Sequence, residues 1–220
     1  MNQQKTQLKG LTATITAHQD EDGSFLLVSL TSEESQDDHP RTPLKTALVI
    51  DRSGSMSGDS IAITRASAAQ FIRSLSPEDR VGVVVYDDQV DLVSGMEEPS
   101  ESMARKVSKI DTGGSTNLYE GWLTGAKLVG RGGRVILLSD GQANVGRFVD
   151  AHSLAAQAAI TYQKFGVTTT TIGVGRGYDE ALMAGMARQG GGSHYFADAA
   201  PSITDAFSHE RYALDETVLE

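Results

Sequence analysis

Three short polar segments follow or face the ends of apolar runs, and each carries side-chain oxygen donors. They are Asp51-Arg52-Ser53-Gly54-Ser55, Gly114-Ser115-Thr116-Asn117 and Ser139-Asp140-Gly141. Together they could supply two carboxylates and three hydroxyls to one point. Hard divalent cations such as Mg²⁺ take oxygen ligands and keep part of their water shell, so this set would leave a coordination position open to an outside ligand.

Each segment taken singly also has an ordinary structural interpretation. Asp51 could close a turn while Ser53 and Ser55 cap the helix that follows. Thr116 could be the cap of another helix, and Asp140 could lie in a tight turn. These interpretations do not explain why all three segments should fall at one edge of the same sheet.

The elements that must position these side chains follow from the apolar periodicity. Strands are predicted at Leu44–Ile50, Val81–Tyr86, Gln89–Val93, Val135–Leu138, Val167–Ile172 and Ser193–Phe196. Helices are predicted at Ser60–Leu75, Ser102–Ile110, Asn117–Val129, Ser153–Phe165, Asp179–Gln189 and Ser202–Leu214. Strands that are apolar on both faces and alternate with helices predict an α/β fold with a doubly wound, mostly parallel central sheet flanked by helices. Ligands bind such sheets beyond the carboxyl ends of the strands.

The N-terminal region predicts a separate small β structure. Leu11 to Ala17 and Phe25 to Leu30 form the strands of a β-hairpin, with Asp22-Gly23 as its turn. The stretch from Thr31 to Pro43 has no apolar periodicity and predicts an exposed connector. We therefore divide the chain into an extension at 1–43, a main domain at 44–214 and a tail at 215–220.

Composition limits the classes of partner. A chain of 220 residues with 39% apolar residues is long enough for one large domain with a packed core. A net charge of −10 argues against nucleic acid or an anionic membrane as the main partner. No run approaches the ~20 apolar residues of a membrane span, so direct membrane insertion is not expected.

Cysteine usage bears on the compartment. The sequence contains no cysteine, which excludes disulfides and thiolate zinc sites and is compatible with a reducing compartment. We expect a cytoplasmic location, with a piece of a longer secreted or membrane-associated protein left open. The oligomeric state is not predicted.

Three motifs resemble the von Willebrand factor type A domain, and the predicted hairpin with the phrase RTPLKTALVIDRSGSM resembles its bacterial and plant members. The three motifs are VIDRSGSM at Val49–Met56, GGSTNLYEG at Gly113–Gly121 and VILLSDG at Val135–Gly141. The resemblance implies a metal-ion-dependent adhesion site that holds Mg²⁺, or Mn²⁺ or Ca²⁺ in its place. The metal ligands that it implies are Asp51, Ser53, Ser55, Thr116 and Asp140.

The resemblance also implies a function. The domain would be an adhesion or scaffold module that binds an Asp or Glu carboxylate of a protein partner through the ion, and it would not be an enzyme. In the family the last helix can shift when the site changes its ligands, and here that helix corresponds to Ser202–Leu214. Two alternatives remain open: a hydrolase or phosphotransferase that uses the same ion as a Lewis acid, and a scaffold whose ion only stiffens the loops.

Other chemistry is less well supported by the sequence. Gly173-Val174-Gly175-Arg176-Gly177 follows a strand, but its third glycine falls one residue early for a dinucleotide loop, so a structural turn is the better interpretation. Ser53 and Ser55 lack the G-x-S-x-G elbow of serine hydrolases. The histidines are not paired as in zinc sites, and His194 is expected in a strand near the sheet end.

Overall fold

The structure is a computed structural model that describes residues 2–8, 11–20, 23–32, 43–175 and 177–215. The chain divides into two compact units, Met1–Arg41 and Thr42–Glu220. The predicted connector lies almost wholly outside the described residues, as does Asp22 of the predicted turn.

The first unit is an antiparallel sheet of three strands in the order β1-β2-β3. The strands are β1 Asn2–Leu8, β2 Leu11–Asp20 and β3 Gly23–Ser32. The predicted hairpin is confirmed as β2 and β3, in which Ala17 pairs with Leu26. Strand β1 was not predicted because its sequence NQQKTQL offers almost no apolar alternation, and it joins the sheet by pairing along β2.

The second unit contains a sheet of six strands in the order β6-β5-β4-β7-β8-β9. The strands are β4 Lys45–Asp51, β5 Arg80–Tyr86, β6 Val90–Glu97, β7 Arg134–Ser139, β8 Thr168–Val174 and β9 Gly191–Ala197. All neighbouring pairs are parallel except β5 with β6. The predicted doubly wound, mostly parallel sheet is therefore confirmed.

Six α-helices flank this sheet in the described part of the chain. They are α1 Asp59–Ser74, α2 Glu101–Val107, α3 Leu118–Val129, α4 Ala151–Phe165, α5 Glu180–Gln189 and α6 Ala200–Asp215. Among the described residues, no helix combines the length and the apolar character needed to span a bilayer.

Two apolar clusters cover the two faces of the sheet, as strands buried on both sides require. Leu48 and Ile50 of β4 pack into the cluster that contains side chains of α1, α2 and α6. Ala47 and Val49, which alternate with them, pack into the cluster of α3, α4 and α5. The alternation along one strand thus shows that β4 lies at the centre of a three-layer domain.

Helix α3 packs closely on the sheet at two glycines that face it. A Cβ atom on Gly121 would lie 2.4 Å from the ring of Tyr86, and one on Gly125 would lie 2.2 Å from Cγ2 of Val49. Trp122, on the same helix, is fully buried and donates from Nε1 to Oγ1 of Thr169 at 3.0 Å. Because Tyr86 is the last residue of β5, its contact with Gly121 places the N-terminal part of α3 at the carboxyl edge of the sheet.

Candidate metal centre

Asp51 is the last residue of β4 and is fully buried. Its Oδ1 accepts a hydrogen bond of 2.8 Å from the backbone amide of Ser53. Its Oδ2 accepts from Ser139 Oγ at 2.6 Å and from the Tyr86 hydroxyl at 3.1 Å. Donors from the loop after β4, from β5 and from β7 therefore hold this carboxylate in one orientation.

Burial raises the pKa of Asp51 from 3.8 to about 6, and the negative charge of Asp140 adds to this rise. The hydrogen bonds from Ser139 and Ser53 act in the opposite direction. No cationic side chain among the described residues forms an ion pair with Asp51. A buried carboxylate with hydrogen-bond donors but no counter-charge favours a cation nearby.

The first loop brings two hydroxyls together. Ser53 precedes a short 3₁₀-helix, Gly54–Met56, and its side chain is buried. Its Oγ lies 3.2 Å from Oγ of Ser55, whose side chain is exposed. One hydroxyl therefore belongs to the protein interior, while the other lies at the surface beside it.

Backbone hydrogen bonds join the second loop to the first. The amide of Gly54 donates to the carbonyl of Gly114 at 3.1 Å, and the amide of Gly113 donates to the carbonyl of Arg52 at 2.9 Å. Gly114 has a φ of 66°, and a Cβ atom there would lie 2.0 Å from Oδ1 of Asp88. Only glycine therefore fits at this position, where the second loop packs against the turn between β5 and β6.

Thr116, in the second loop, is buried, and its backbone is held on both sides. Its amide donates to Oδ1 of Asn144 at 2.9 Å, and its carbonyl accepts from the amides of Asn144 and Val145 at 3.2 and 3.3 Å. Its hydroxyl has no hydrogen-bond partner among the described residues. The Oγ1 atom is thus positioned by the backbone and is available to a ligand.

Asp140 follows β7 and is almost fully buried. Its Oδ1 accepts from the amide of Gln142 at 3.1 Å, and its carbonyl accepts from the amide of Asp179 at 2.8 Å. Its Oδ2 has no donor among the described residues. The amide of Gly141, which has a φ of 72°, donates to Ser139 Oγ at 2.9 Å, so the turn that carries Asp140 is tied to the side chain that holds Asp51.

The hydrogen-bond network thus links all three predicted segments at the carboxyl edge of β4 and β7. The residues that supply oxygen donors are Asp51, Ser53, Ser55, Thr116 and Asp140. Within the described ranges, no three His, Cys, Asp or Glu side chains come close enough to bind a metal by themselves. An ion here would therefore depend on hydroxyl oxygens together with two carboxylates, a donor set that fits a hard cation.

Sequence reasoning missed the side chains that orient the predicted site residues. Ser139 and Tyr86 bind Asp51, and Asn144 binds Thr116. Ser139 directly precedes Asp140 at a strand end, which is a usable signal, whereas nothing local indicates Tyr86 or Asn144. Their roles depend on contacts between distant parts of the chain.

Arg52 has a structural role beside the site. Its Nε donates to Oδ2 of Asp87 at 3.0 Å, and its Nη2 donates to Oδ2 of Asp91 at 2.6 Å. The side chain therefore joins the loop after β4 to the turn between β5 and β6. Its positive charge is therefore largely neutralised by Asp87 and Asp91.

His194 lies in β9, as expected, and belongs to a separate hydrogen-bonded chain. The Thr171 hydroxyl donates to the carbonyl of Met183 at 2.9 Å, so it accepts from Nδ1 of His194 at the same distance. Nε2 of His194 then accepts from the Tyr178 hydroxyl at 3.0 Å. Burial lowers the pKa of this histidine, which agrees with a neutral ring held in a structural network.

Comparison with known proteins identifies a family match. The sequence profile of the von Willebrand factor type A domain matches residues 46–209. An uncharacterized protein of Synechocystis sp., sll0103, is 26% identical over 165 residues, which cover 71% of this chain and 38% of that protein. This chain therefore spans less than half the length of that relative.

Two solved structures show the same fold at low sequence identity. Protein BatB from Bacteroides thetaiotaomicron has a TM-score of 0.67 and 16% identity, with 79% of this chain and all of that chain covered. Proximal thread matrix protein 1 from the mussel byssus, in a form with a zinc-occupied metal-ion-dependent adhesion site motif, has a TM-score of 0.61 and 19% identity. That comparison covers 77% of this chain and 45% of the mussel chain.

Proposed function

This chain belongs to the von Willebrand factor type A domain family. We propose that it is a protein-binding module that holds a divalent ion and binds an acidic side chain of a partner through that ion. Domains of this family commonly mediate metal-dependent protein interaction. The observation that carries the proposal is the buried carboxylate of Asp51, which accepts three hydrogen bonds and has no counter-charge among the described residues. Mg²⁺ is the proposed ion, with Mn²⁺ and Ca²⁺ as the alternatives.

The hydrogen bonds that each residue already forms indicate whether it would bind the ion directly or orient the residues that do. Ser53, Ser55 and Thr116 would offer neutral hydroxyl oxygens to the ion. Both oxygens of Asp51 already accept hydrogen bonds, so Asp51 would orient the first loop and supply charge from behind it. Asp140 would contribute its Oδ2 directly or through water.

The choice of an acidic partner follows from this donor set. When bound, the ion would supply an electrophilic centre at the protein surface. Neutral hydroxyls withdraw little of its charge, whereas direct contact with both carboxylates would weaken its attraction for an outside anion. A carboxylate from an Asp or Glu side chain is the protein group that suits a hard cation at an open position.

The mussel protein supports the capacity of this fold to hold a divalent ion, because its structure contains zinc in its metal-ion-dependent adhesion site motif. A catalytic role for the ion would need a base positioned beside it. Among the described histidines, His194 is engaged with Thr171 and Tyr178, so it is not an evident base. A binding module is therefore preferred over a hydrolase or phosphotransferase.

The test removes one ligand without disturbing the fold. Thr116→Val keeps the side-chain shape and deletes a hydroxyl that has no protein partner among the described residues. We expect the metal-free variant to unfold at the same urea concentration as the wild type, while calorimetric titration with MgCl₂ shows at least ~10-fold weaker binding. Thr64→Val is the matched control, because Oγ1 of Thr64 is also buried without a partner but lies on α1.

Three outcomes would point elsewhere. Equal Mg²⁺ affinity in wild type and Thr116→Val would contradict the proposed ligand set. A structural ion would be favoured if chelation lowered the melting temperature of the wild type while Thr116→Val bound the partner as tightly as the wild type. Metal-dependent turnover of a phosphate or peptide substrate that Asp140→Ala abolishes would favour an enzyme.

A further inference from the structure

The loop that follows Asp140 carries an exposed cation beside the metal centre. Arg147 lies in this loop between Val145 and Val149, which are 40% and 41% exposed. Among the described residues, Arg147 forms no ion pair, and its guanidinium instead lies over the ring of Phe148 at 5.3 Å. The positive charge of Arg147 is therefore exposed and is not neutralised by a carboxylate among the described residues.

The loop is tied to the metal centre at two points. Asn144 binds the amide and the carbonyl of Thr116, as described above. Gly146 has a φ of 112°, and a Cβ atom at this position would lie 2.3 Å from Oδ1 of Asn117. The backbone before Arg147 is therefore packed against the segment that carries Thr116.

Aromatic packing also fixes the support under the cation. The ring of Phe148 meets the ring of Tyr119 edge-on, with centroids 4.8 Å apart. Tyr119 is buried in α3, the helix that begins beside Thr116. Because the platform is rigid, Arg147 would lose less conformational freedom on binding than an arginine on a free loop.

The surroundings of the cation are acidic. The loops at this sheet edge, together with the first residues of β6 and α5, carry Asp87, Asp88, Asp91, Asp111, Asp179 and Glu180. Arg52 is neutralised by Asp87 and Asp91, whereas Arg147, on the loop that follows Asp140, is exposed and has no ion pair within the described ranges. With a net charge of −10, the protein repels an acidic partner except where a cation or a bound ion attracts it.

We propose that Arg147 is a second anchor for the partner: it binds a second carboxylate of the same acidic segment whose first carboxylate meets the ion. This inference rests on the proposed function, and it narrows the partner to a segment with two Asp or Glu residues a few positions apart. Val145 and Val149 flank Arg147 and favour an apolar residue near the second acid. A nucleic acid is a less suitable partner, because the phosphates next to the one bound by Arg147 would be repelled by the acidic residues at this sheet edge.

The experiment uses Mg²⁺-loaded protein and synthetic eight-residue Gly/Ser peptides as probes. One series carries two Glu residues separated by one to four positions, and the matched series replaces the second Glu with Gln. Binding is read by NMR from the backbone amide of Gly54 and from the Nε–H resonance of Arg147. At the best spacing, we expect the two-Glu peptide to bind about 3- to 10-fold more tightly and to shift the Arg147 resonance.

Arg131 offers a matched control for the charge. Its guanidinium lies over the Phe165 ring at 5.4 Å, but it belongs to the loop before β7, at the opposite sheet edge. Arg147→Gln should bind both peptides equally with unchanged Mg²⁺ affinity, whereas Arg131→Gln should keep the preference for two acids.

Each contrary result has a distinct meaning. Equal binding of both series by the wild type at every spacing would overturn the second anchor and leave the proposed function intact. Peptide binding that does not depend on Mg²⁺, or no binding of either peptide series, would overturn both the second anchor and the proposed function. An equal loss of preference in Arg131→Gln would show a long-range charge effect rather than a contact. Tighter capture of a single-stranded oligonucleotide through Arg147 would replace the acidic segment as its ligand.

Discussion

Ser139 donates a hydrogen bond of 2.6 Å to Oδ2 of Asp51, although 88 positions separate the two residues along the chain. The same Ser139 Oγ accepts from the amide of Gly141, so one hydroxyl joins the carboxylate at the end of β4 to the turn that carries Asp140. The two parallel strands end side by side, and this contact makes their ends a single unit.

Ser139→Ala should weaken that unit. The variant leaves the buried Gly141 amide without its acceptor and removes one of the donors that lower the pKa of Asp51. We expect a loss of about 1–3 kcal/mol in the free energy of unfolding and a pKa of Asp51 above its present value of about 6. Urea denaturation and carboxyl carbon NMR would measure the two effects.

Ser57→Ala provides the comparison, because the Ser57 hydroxyl donates to Thr112 at an exposed position. Its stability should change little, and Asp51 should titrate as in the wild type. Unchanged titration of Asp51 in Ser139→Ala would show that this hydrogen bond does not control the carboxylate.

The raised pKa of Asp51 predicts how the metal-free protein responds to pH. The unfolded chain loses this proton near pH 3.8, whereas the folded protein keeps it until about pH 6. The stabilisation from binding this proton more tightly in the folded state is therefore complete below pH 3.8 and is lost as pH rises to about 6. The free energy of unfolding should fall by about 3 kcal/mol over this range. Urea denaturation in EDTA across this range would measure it, and Asp51→Asn should lack this component.

Metal binding should show the complementary dependence. A cation beside Asp51 and Asp140 favours the ionised carboxylate, so Mg²⁺ must displace the Asp51 proton below about pH 6. Calorimetry should give a Mg²⁺ affinity about tenfold lower at pH 5 than at pH 7, with release of a proton. An affinity that stays constant over this range would exclude Asp51 from the ion's surroundings.

Much of the fold and of the site was accessible from local sequence patterns. Strands such as β4 and β7 are apolar on both faces, which predicts a covered parallel sheet, and a polar residue directly after each strand lies at its carboxyl edge. Asp51 and Asp140 could therefore be placed at one edge before any contact was known. Their joining to Thr116 was inferred from three motifs together, since each alone is compatible with a turn or a cap.

Other features could not be predicted because they depend on contacts between distant side chains. Strand β1 is polar except for Leu8, so its sequence does not indicate a strand, and it is recognised by its pairing with β2. Asn144 holds Thr116 from the opposite loop without any local pattern. The pairing of Arg134 with Glu210 joins the start of β7 to the last helix, and neither residue stands in a motif.

The glycines of α3 should be needed for its close approach to the sheet. A Cβ atom on Gly125 would lie 2.2 Å from Cγ2 of Val49, a fully buried β-branched side chain with little freedom to move. Gly125→Ala should therefore destabilise the domain by about 1–3 kcal/mol in urea denaturation, even though alanine favours helix. Because α3 positions Thr116, Mg²⁺ affinity should fall as well.

Gly185→Ala on α5 is the control with the opposite expected sign. A Cβ atom there would meet only Cβ of Ala155, at an ordinary 3.7 Å. The substitution should raise the free energy of unfolding by about 0.5–1 kcal/mol through helix propensity. If both alanine variants were stabilising, the close packing of α3 on β4 would be wrong.

The buried pairing of Glu210 with Arg134 should hold α6 on the sheet. Glu210 is 3% exposed; its Oε2 accepts from Arg134 and from Thr170 Oγ1, and its Oε1 accepts from the Tyr195 hydroxyl. Glu210→Gln leaves the partly buried Arg134, whose side chain is 16% exposed, without this counter-charge, which should cost about 3 kcal/mol in urea denaturation, the lower end of the range for a buried pair. Hydrogen exchange should rise first along α6, because the lost contacts tie this helix to β7, β8 and β9.

Glu101→Gln removes the same charge from an exposed pair, in which Arg73 donates from Nε at 2.8 Å. Solvent screens that pair, so its loss should leave stability nearly unchanged. If both variants had equal effects, the Glu210 pair would not be the one that fixes the last helix. If Glu210→Gln instead raised Mg²⁺ affinity while exchange rose in α6, the position of this helix would be coupled to the metal centre at the opposite edge of the sheet.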